Sequence, residues 1–217
     1  MLCFINAKMR ESENILFNHN RETACKDIFQ AACDEIGLYF EQKGLKYSRS
    51  RPKLTLKDEE ILLTIPFFSS ASNQPGESVC MDILPNIQSV QLMKEKHPKP
   101  YILATSAMLT MKGDWENSQL VKSETVFGEK VERIVERSKE PLFMYSNTIN
   151  VYGITKEQFQ LLLSFIEEKI IIWFELIKKP EGISRILDNR NYRTNYEIEH
   201  SGLLDYAKLK FPELIFN

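Results

Sequence analysis

The residues best suited to hold a ligand are the small hydroxyls and the amide of Ser69-Ser70-Ala71-Ser72-Asn73-Gln74-Pro75-Gly76-Glu77. Ser69, Ser70, Ser72 and Asn73 are the candidate binding residues there. Groups of this kind on a loop held between rigid strands often contact ligands. Successive backbone N–H groups in such a loop can also cradle an anion. The plainer reading is a connection, because Ser, Asn, Pro and Gly form turns for local reasons. The loop is longer than a usual hairpin turn, but no glycine-rich phosphate pattern accompanies it.

A second cluster is cationic. Lys43, Lys46, Arg49, Arg51, Lys53 and Lys57 fall within 43–57 with no acid among them. Such a stretch could contact phosphates, centred on Arg49 and Arg51, while Tyr47 stacks on a base. Lys and Arg also guard exposed strand edges, and acidic neighbours would neutralise them. The net charge of −2 argues against nucleic acid as the main partner. A third cluster, Arg190, Tyr192, Arg193 and Tyr196, has the composition of a protein-binding hot spot. Tyrosines of a solvated loop also pack on the body of a protein routinely.

Catalytic chemistry finds little support. Asp82 stands in an otherwise apolar strand and needs a partner or an exposed face. An ion pair with a basic residue of 46–53 accounts for it better than a functional acid does. His19, His97 and His200 are far apart, and none has a second ligand at metal-binding spacing. No G-x-S-x-G, Walker or dinucleotide-binding pattern occurs. No catalytic residue, metal or cofactor is therefore assigned. A hydrolase-type site near 69–77, assembled by long-range folding, is the third functional reading.

The length of 217 residues suits one domain spanning 1–217, with the Pro-rich 97–100 as the one candidate seam. Such a chain buries enough core to need no staples. Hydrophobic and charged fractions of 43% and 27% are ordinary for a soluble globular protein. Cys3, Cys25, Cys33 and Cys80 form no C-x-x-C pair and sit mainly in apolar stretches, as free thiols of a reducing cytosol do. The opening apolar run is too short for a signal-peptide core, and no stretch reads as a membrane span. The expected location is cytoplasmic, with no membrane partner.

The elements that position these groups follow from periodicity. Residues 59–84 read as a long-looped β-hairpin, apolar on both faces and so covered on both. Pro66 predicts a bulge or an exit from its first arm, and Pro85 ends the second. Amphipathic helices are predicted over 22–43, 123–138 and 155–178. Thr23 is the expected N-cap of the first, Gly44 its stop, and Gly37 a point of close packing on the sheet. The third carries a Thr155/Gln158 capping box and two apolar stripes, one with Trp173 and one with Phe165. Short strands are expected within 45–57, 101–110 and 142–153, and short helices at 87–96, 183–187 and 203–211. The chain is thus α+β, with an antiparallel sheet centred on 59–84. Its expected role is non-catalytic binding through protein contacts, self-association included. A nucleic-acid role for 43–57 is the runner-up.

Overall fold

The computed structural model describes residues 14–95, 101–106, 109, 119–126, 129–136, 143–145, 147–187 and 198–213; for 119–126, 129–136 and 143–145 it describes the backbone. The fold is α+β. Helix α1 is Cys25–Glu41. Its N-cap is Ala24, which offers no side-chain acceptor. The expected cap, Thr23, is engaged elsewhere: its Oγ1 accepts the Asn20 N–H at 3.1 Å and so closes the preceding turn. At the other end Gly44 takes φ +88°. The N–H of Leu45 donates to Phe40 O and that of Gly44 to Glu41 O. These two bonds form the Schellman arrangement, which needs a left-handed residue that glycine adopts without strain. Leu45 and Phe40 are both buried beneath it.

The strands are β1 (Lys46–Ser48), β2 (Lys53–Lys57), β3 (Ile61–Ser69), β4 (Cys80–Ile83), β5 (Asn86–Ser89), β6 (Ile102–Thr105), β7 (Gln119–Val126), β8 (Glu129–Glu136), β9 (Phe143–Tyr145) and β10 (Thr148–Asn150). All except β7 and β8 belong to one antiparallel sheet, in which β3 is central. Strand β2 lines one edge of β3. Strands β4 and β5 line the other in a single register, Phe67 facing Ile83 and Leu63 facing Ile87. The second arm is therefore interrupted at Leu84-Pro85 and then resumes, rather than ending there. Beyond the interruption the sheet divides: β10 pairs with β4, and β6 with β5. Pro66 does not deflect β3, which runs on to Ser69. The Leu84 N–H donates to Pro66 O, so the donor that Pro66 lacks falls where the partner strand is already broken.

Among the described residues, one face of this sheet is covered around β2–β5 and the opposite face is half-exposed. Residues directly opposite in an antiparallel pair share a face. Leu54, Ile65, Leu63, Ile87, Met81 and Ile83 are wholly buried on the face that meets α1. Cys33 Sγ of α1 lies 3.9 Å from Met81 Sδ, and Gly37 lets the Tyr47 ring of β1 lie directly on the helix. On the opposite face Leu62, Thr64 and Pro66 are half-buried, and Phe68 and Leu84 are 52% and 41% exposed.

The helix expected over 123–138 is instead the hairpin β7–β8, with Val121 facing Ile134 and Glu124 facing Val131. The apolar positions there fit a helical stripe. They also alternate in strands rich in Val, Ile and Thr, whose branched side chains favour the pleated surface. The 142–153 segment forms the short strands β9 and β10. Residues 87–96 begin as β5 before turning into helix α2 (Val90–Lys94), which Ser89 caps by accepting the Leu92 N–H.

Helix α3 (Lys156–Phe165) starts at the Thr155/Gln158 capping box, with both reciprocal bonds formed. A π-helical turn follows at Ile166–Ile171, then α4 (Trp173–Leu176), α5 (Pro180–Leu187) and α6 (Leu203–Lys210). The stripe Phe159, Leu162, Leu163, Ile166, Ile170, Trp173 and Ile177 is buried throughout. The second stripe divides: Leu161 and Ile172 are exposed, while Phe165 and Leu176 are half-buried against the core. Trp173 is buried, and its Nε1 donates to Leu109 O at 2.9 Å.

The β2–β3 turn is tied to the end of α4 by charge. Asp58 accepts the N–H groups of Glu60 and Ile61, and Lys178 Nζ lies 3.0 Å from its other oxygen. Burial opposes its ionisation, but these donors outweigh burial and hold the carboxyl below its ordinary value. A depressed native pKa means that the unfolded chain binds the proton more readily. The stabilisation is therefore complete above about pH 5 and is lost as pH falls through the carboxylate range. Asp58→Asn is expected to flatten the loss of stability between about pH 5 and 2, measured by urea denaturation across pH. An unchanged acid limb would show that Asp58 carries no linkage.

Candidate functional site

The 69–77 loop closes on itself. Asn73 Nδ2 donates to Ser69 Oγ at 2.9 Å, and Asn73 Oδ1 accepts the Cys80 N–H at 2.7 Å. Ser70 Oγ accepts the Ser72 N–H, and the Ser70 N–H donates to Cys80 O. Gln74 and Ser78 form a bridge across a tight turn, in which Gly76 takes φ +76°. The structure thus brings Ser69, Ser70, Ser72 and Asn73 together, but to satisfy one another and the loop backbone. The length that drew attention in the sequence is a small folded turn.

Among the described residues Asp82 forms no ion pair with the basic stretch; it accepts the Thr148 hydroxyl across the β4–β10 pair. His19 is engaged at both ring nitrogens: Nδ1 meets the carbonyls of Ile15 and Leu16, and Nε2 accepts the Gly153 N–H at 3.1 Å. Burial pushes the Cys33 and Cys80 thiols up from their ordinary value, and the nearby Asp34 and Asp82 carboxylates push in the same direction. Both are held protonated and are poor nucleophiles. Tyr192 and Arg193 lie outside the described residues, as do Arg190, Tyr196 and the 97–100 seam.

The six cations of 43–57 are sorted by the fold. Lys43 Nζ lies 2.6 Å from Glu167 of the π turn and 4.6 Å from the Tyr39 ring centroid. Hydrogen bonds to Glu167 and Tyr39 hold its ammonium above its ordinary value. Arg49 Nε lies 3.0 Å from Asp34 of α1. Asp34 also accepts the Tyr47 hydroxyl. Lys46, Lys53 and Lys57 alternate to the other side of the sheet, and Arg51 is exposed in the turn entering β2. Among the described residues none of these four has an ion-pair partner. Arg49 and Arg51, adjacent in the sequence reading, therefore do different things.

A concave feature among the described residues lies elsewhere, and sequence reasoning missed it. A groove of about 420 Å³ runs between α1 and α3. Phe17, Leu38, Tyr39, Phe159 and Leu163 supply its apolar lining, and Glu35, Gln42, Lys156 and Gln160 its polar lining. Phe17 meets Phe159 edge to face, 5.7 Å between centroids. Leu38 is 45% exposed. The Lys43–Glu167–Tyr39 cluster described above ties α1 to the π turn just past α3. One signal was available: Leu38 is apolar yet lies off the buried stripe of its helix. Nothing in the spacing identified α3 as the opposite wall.

Among the described residues no helix is long and apolar enough to cross a membrane. Compared with protein-family models, curated proteins and solved structures, the chain matches none.

Proposed function

We propose that the protein is a non-catalytic binding module whose α1–α3 groove takes an amphipathic helix from a partner protein. The observation that carries this reading is the apolar lining left open between two helices, with Leu38 exposed beside buried Phe159 and Leu163. A third helix fits a valley between two others, at the usual spacing of about 8–10 Å between axes. No strand lines the groove, so an extended segment would find no ladder to join. Glu35 on the α1 wall favours a partner helix with a basic residue beside its apolar stripe.

Selection from a displayed library of randomised amphipathic helices tests this. Enriched peptides are expected to carry apolar residues at i, i+3 or i+4, and i+7, with a base flanking them. They should lose at least about tenfold in affinity against Leu38→Glu, a change at an exposed site that leaves the circular dichroism spectrum intact. Enriched peptides that bind Leu38→Glu as well as wild type would overturn the groove assignment, and so would a selection that enriches none.

A further inference from the structure

The uncovered face of the sheet carries its own pattern, independent of the groove. Register places the residues in rows across the strands. Lys57, Leu62 and Gln88 form one row, and Lys46, Thr55, Thr64 and Asn86 the next. Ser48, Lys53 and Pro66 form a third, which ends at Leu84 through its N–H bond to Pro66. Phe68, Asp82 and Thr148 form a fourth. The cations gather at the β1–β2 side. Of the exposed apolar groups, Leu84 ends the row of Lys53, and Phe68 lies one row beyond it. The nearby acids are Asp82, engaged by Thr148, Asp58 and Glu60, ion-paired with Lys178 and Lys210, and Glu59 in the β2–β3 turn.

The geometry points to a platform for single-stranded nucleic acid, with Phe68 stacking on a base and Lys46, Arg51, Lys53 and Lys57 contacting phosphates. Three observations converge on that occupant. The four cations are those that the fold leaves without partners, while Lys43 and Arg49 of the same stretch are neutralised on the helix side. An aromatic ring 52% exposed near the end of the central strand offers a surface on which a base can stack, which an unpaired strand can present and a stacked duplex cannot. The two middle rows carry the hydroxyls of Ser48, Thr55 and Thr64 and the amide of Asn86 beside Pro66 and Leu84. Thr64 and Gln88 both donate to Asn86 Oδ1, which leaves the Asn86 amide hydrogens free to meet base edges. Lys53 and Lys57, four residues apart on β2, stand about 13 Å from each other along the strand, far enough for separate phosphates.

Fluorescence anisotropy with labelled oligothymidine tests the assignment, with a duplex of equal length and poly-glutamate as competitors. Wild type is expected to prefer the single strand, and its affinity to fall with salt with a log–log slope of about −2 to −3 for three or four phosphate contacts. Phe68→Ala should weaken binding about tenfold with little change in slope. The Lys53→Ala, Lys57→Ala double variant should reduce the slope by roughly 1.4. All three altered side chains lie on the uncovered face, so thermal melts should stay close to wild type. The proposal is overturned if wild type does not retain oligothymidine at low salt, or if Phe68→Ala binds it unchanged. It is equally overturned if poly-glutamate competes as well as oligothymidine, which would make the occupant an acidic protein segment. Leu38→Glu should bind oligothymidine like wild type, so failure of the groove reading and failure of this one are separable.

Discussion

Replacing Gly182 with alanine is expected to destabilise the protein by about 3 kcal/mol or more, against the usual sign of that change. In an unconstrained helix interior, Gly→Ala stabilises by roughly 0.5–1 kcal/mol. Gly182 lies in the first turn of α5, which follows α4 after a connection of three residues. A Cβ built there falls 1.9 Å from the Leu176 carbonyl oxygen and 2.4 Å from its carbonyl carbon. Both are backbone atoms, so no rotamer change relieves the contact and one helix must shift on the other. Ile177, Ile183 and Ile186 are all buried around this junction, and a shift would unpack them. For a chain of this size the expected fall in Tm is roughly 6–12 °C. Thermal unfolding followed by circular dichroism measures it. A variant as stable as wild type would show that the α4–α5 junction is not packed in this way.

Trp173→Ala has a comparable expected effect for a different reason. The indole is 2% exposed, beneath the Arg185 guanidinium at 5.3 Å from the ring centroid. Its removal leaves a large cavity at a cost of about 3–5 kcal/mol. It also strips the Leu109 carbonyl of its indole donor, a loss in the range of about 1–3 kcal/mol where water cannot replace it. Trp173→Phe separates the two effects, since it keeps most of the apolar volume and loses the hydrogen bond; about 1–2 kcal/mol is expected. Urea denaturation of the pair reads the difference. Sedimentation of Trp173→Phe supplies the contrast with a self-association role. A residue buried within one chain should leave the oligomeric state unchanged, whereas an interface residue would shift it.

The helix ends were legible because their chemistry closes within a few residues. The Thr155/Gln158 box and the Gly44 stop each depend on bonds spanning three to five positions, and both formed as the spacing indicates. Thr23 misled for the same local reason: a hydroxyl before a helix can cap it, but here Asn20 offers a nearer backbone N–H. The 123–138 segment misled because its apolar residues satisfy two periods at once. Branched side chains and pairing with 119–126 decide in favour of strands, and pairing is not visible in either segment alone. The second stripe of 155–178 was drawn on periodicity alone, and half of it, Leu161 and Ile172, faces outward.

By itself the sequence determined the fold class, the central hairpin, the buried stripe of the long helix and the clustering of six cations. Each of these rests on periodicity, composition or short-range hydrogen bonds. Only the tertiary structure decided which face of the sheet is covered, which of the cations meet Asp34 and Glu167, and that α1 and α3 enclose a groove. Lys43 and Glu167 stand 124 positions apart, and Leu38 and Phe159 are almost as distant in the chain. Contacts of that separation form only when the sheet brings both helices to one face, and no local pattern in either segment encodes the other. The hydroxyl-rich loop shows the converse. Its residues are close in sequence and found partners close by: Ser70 Oγ and Asn73 Oδ1 accept backbone N–H groups, and Ser69 Oγ accepts the Asn73 amide.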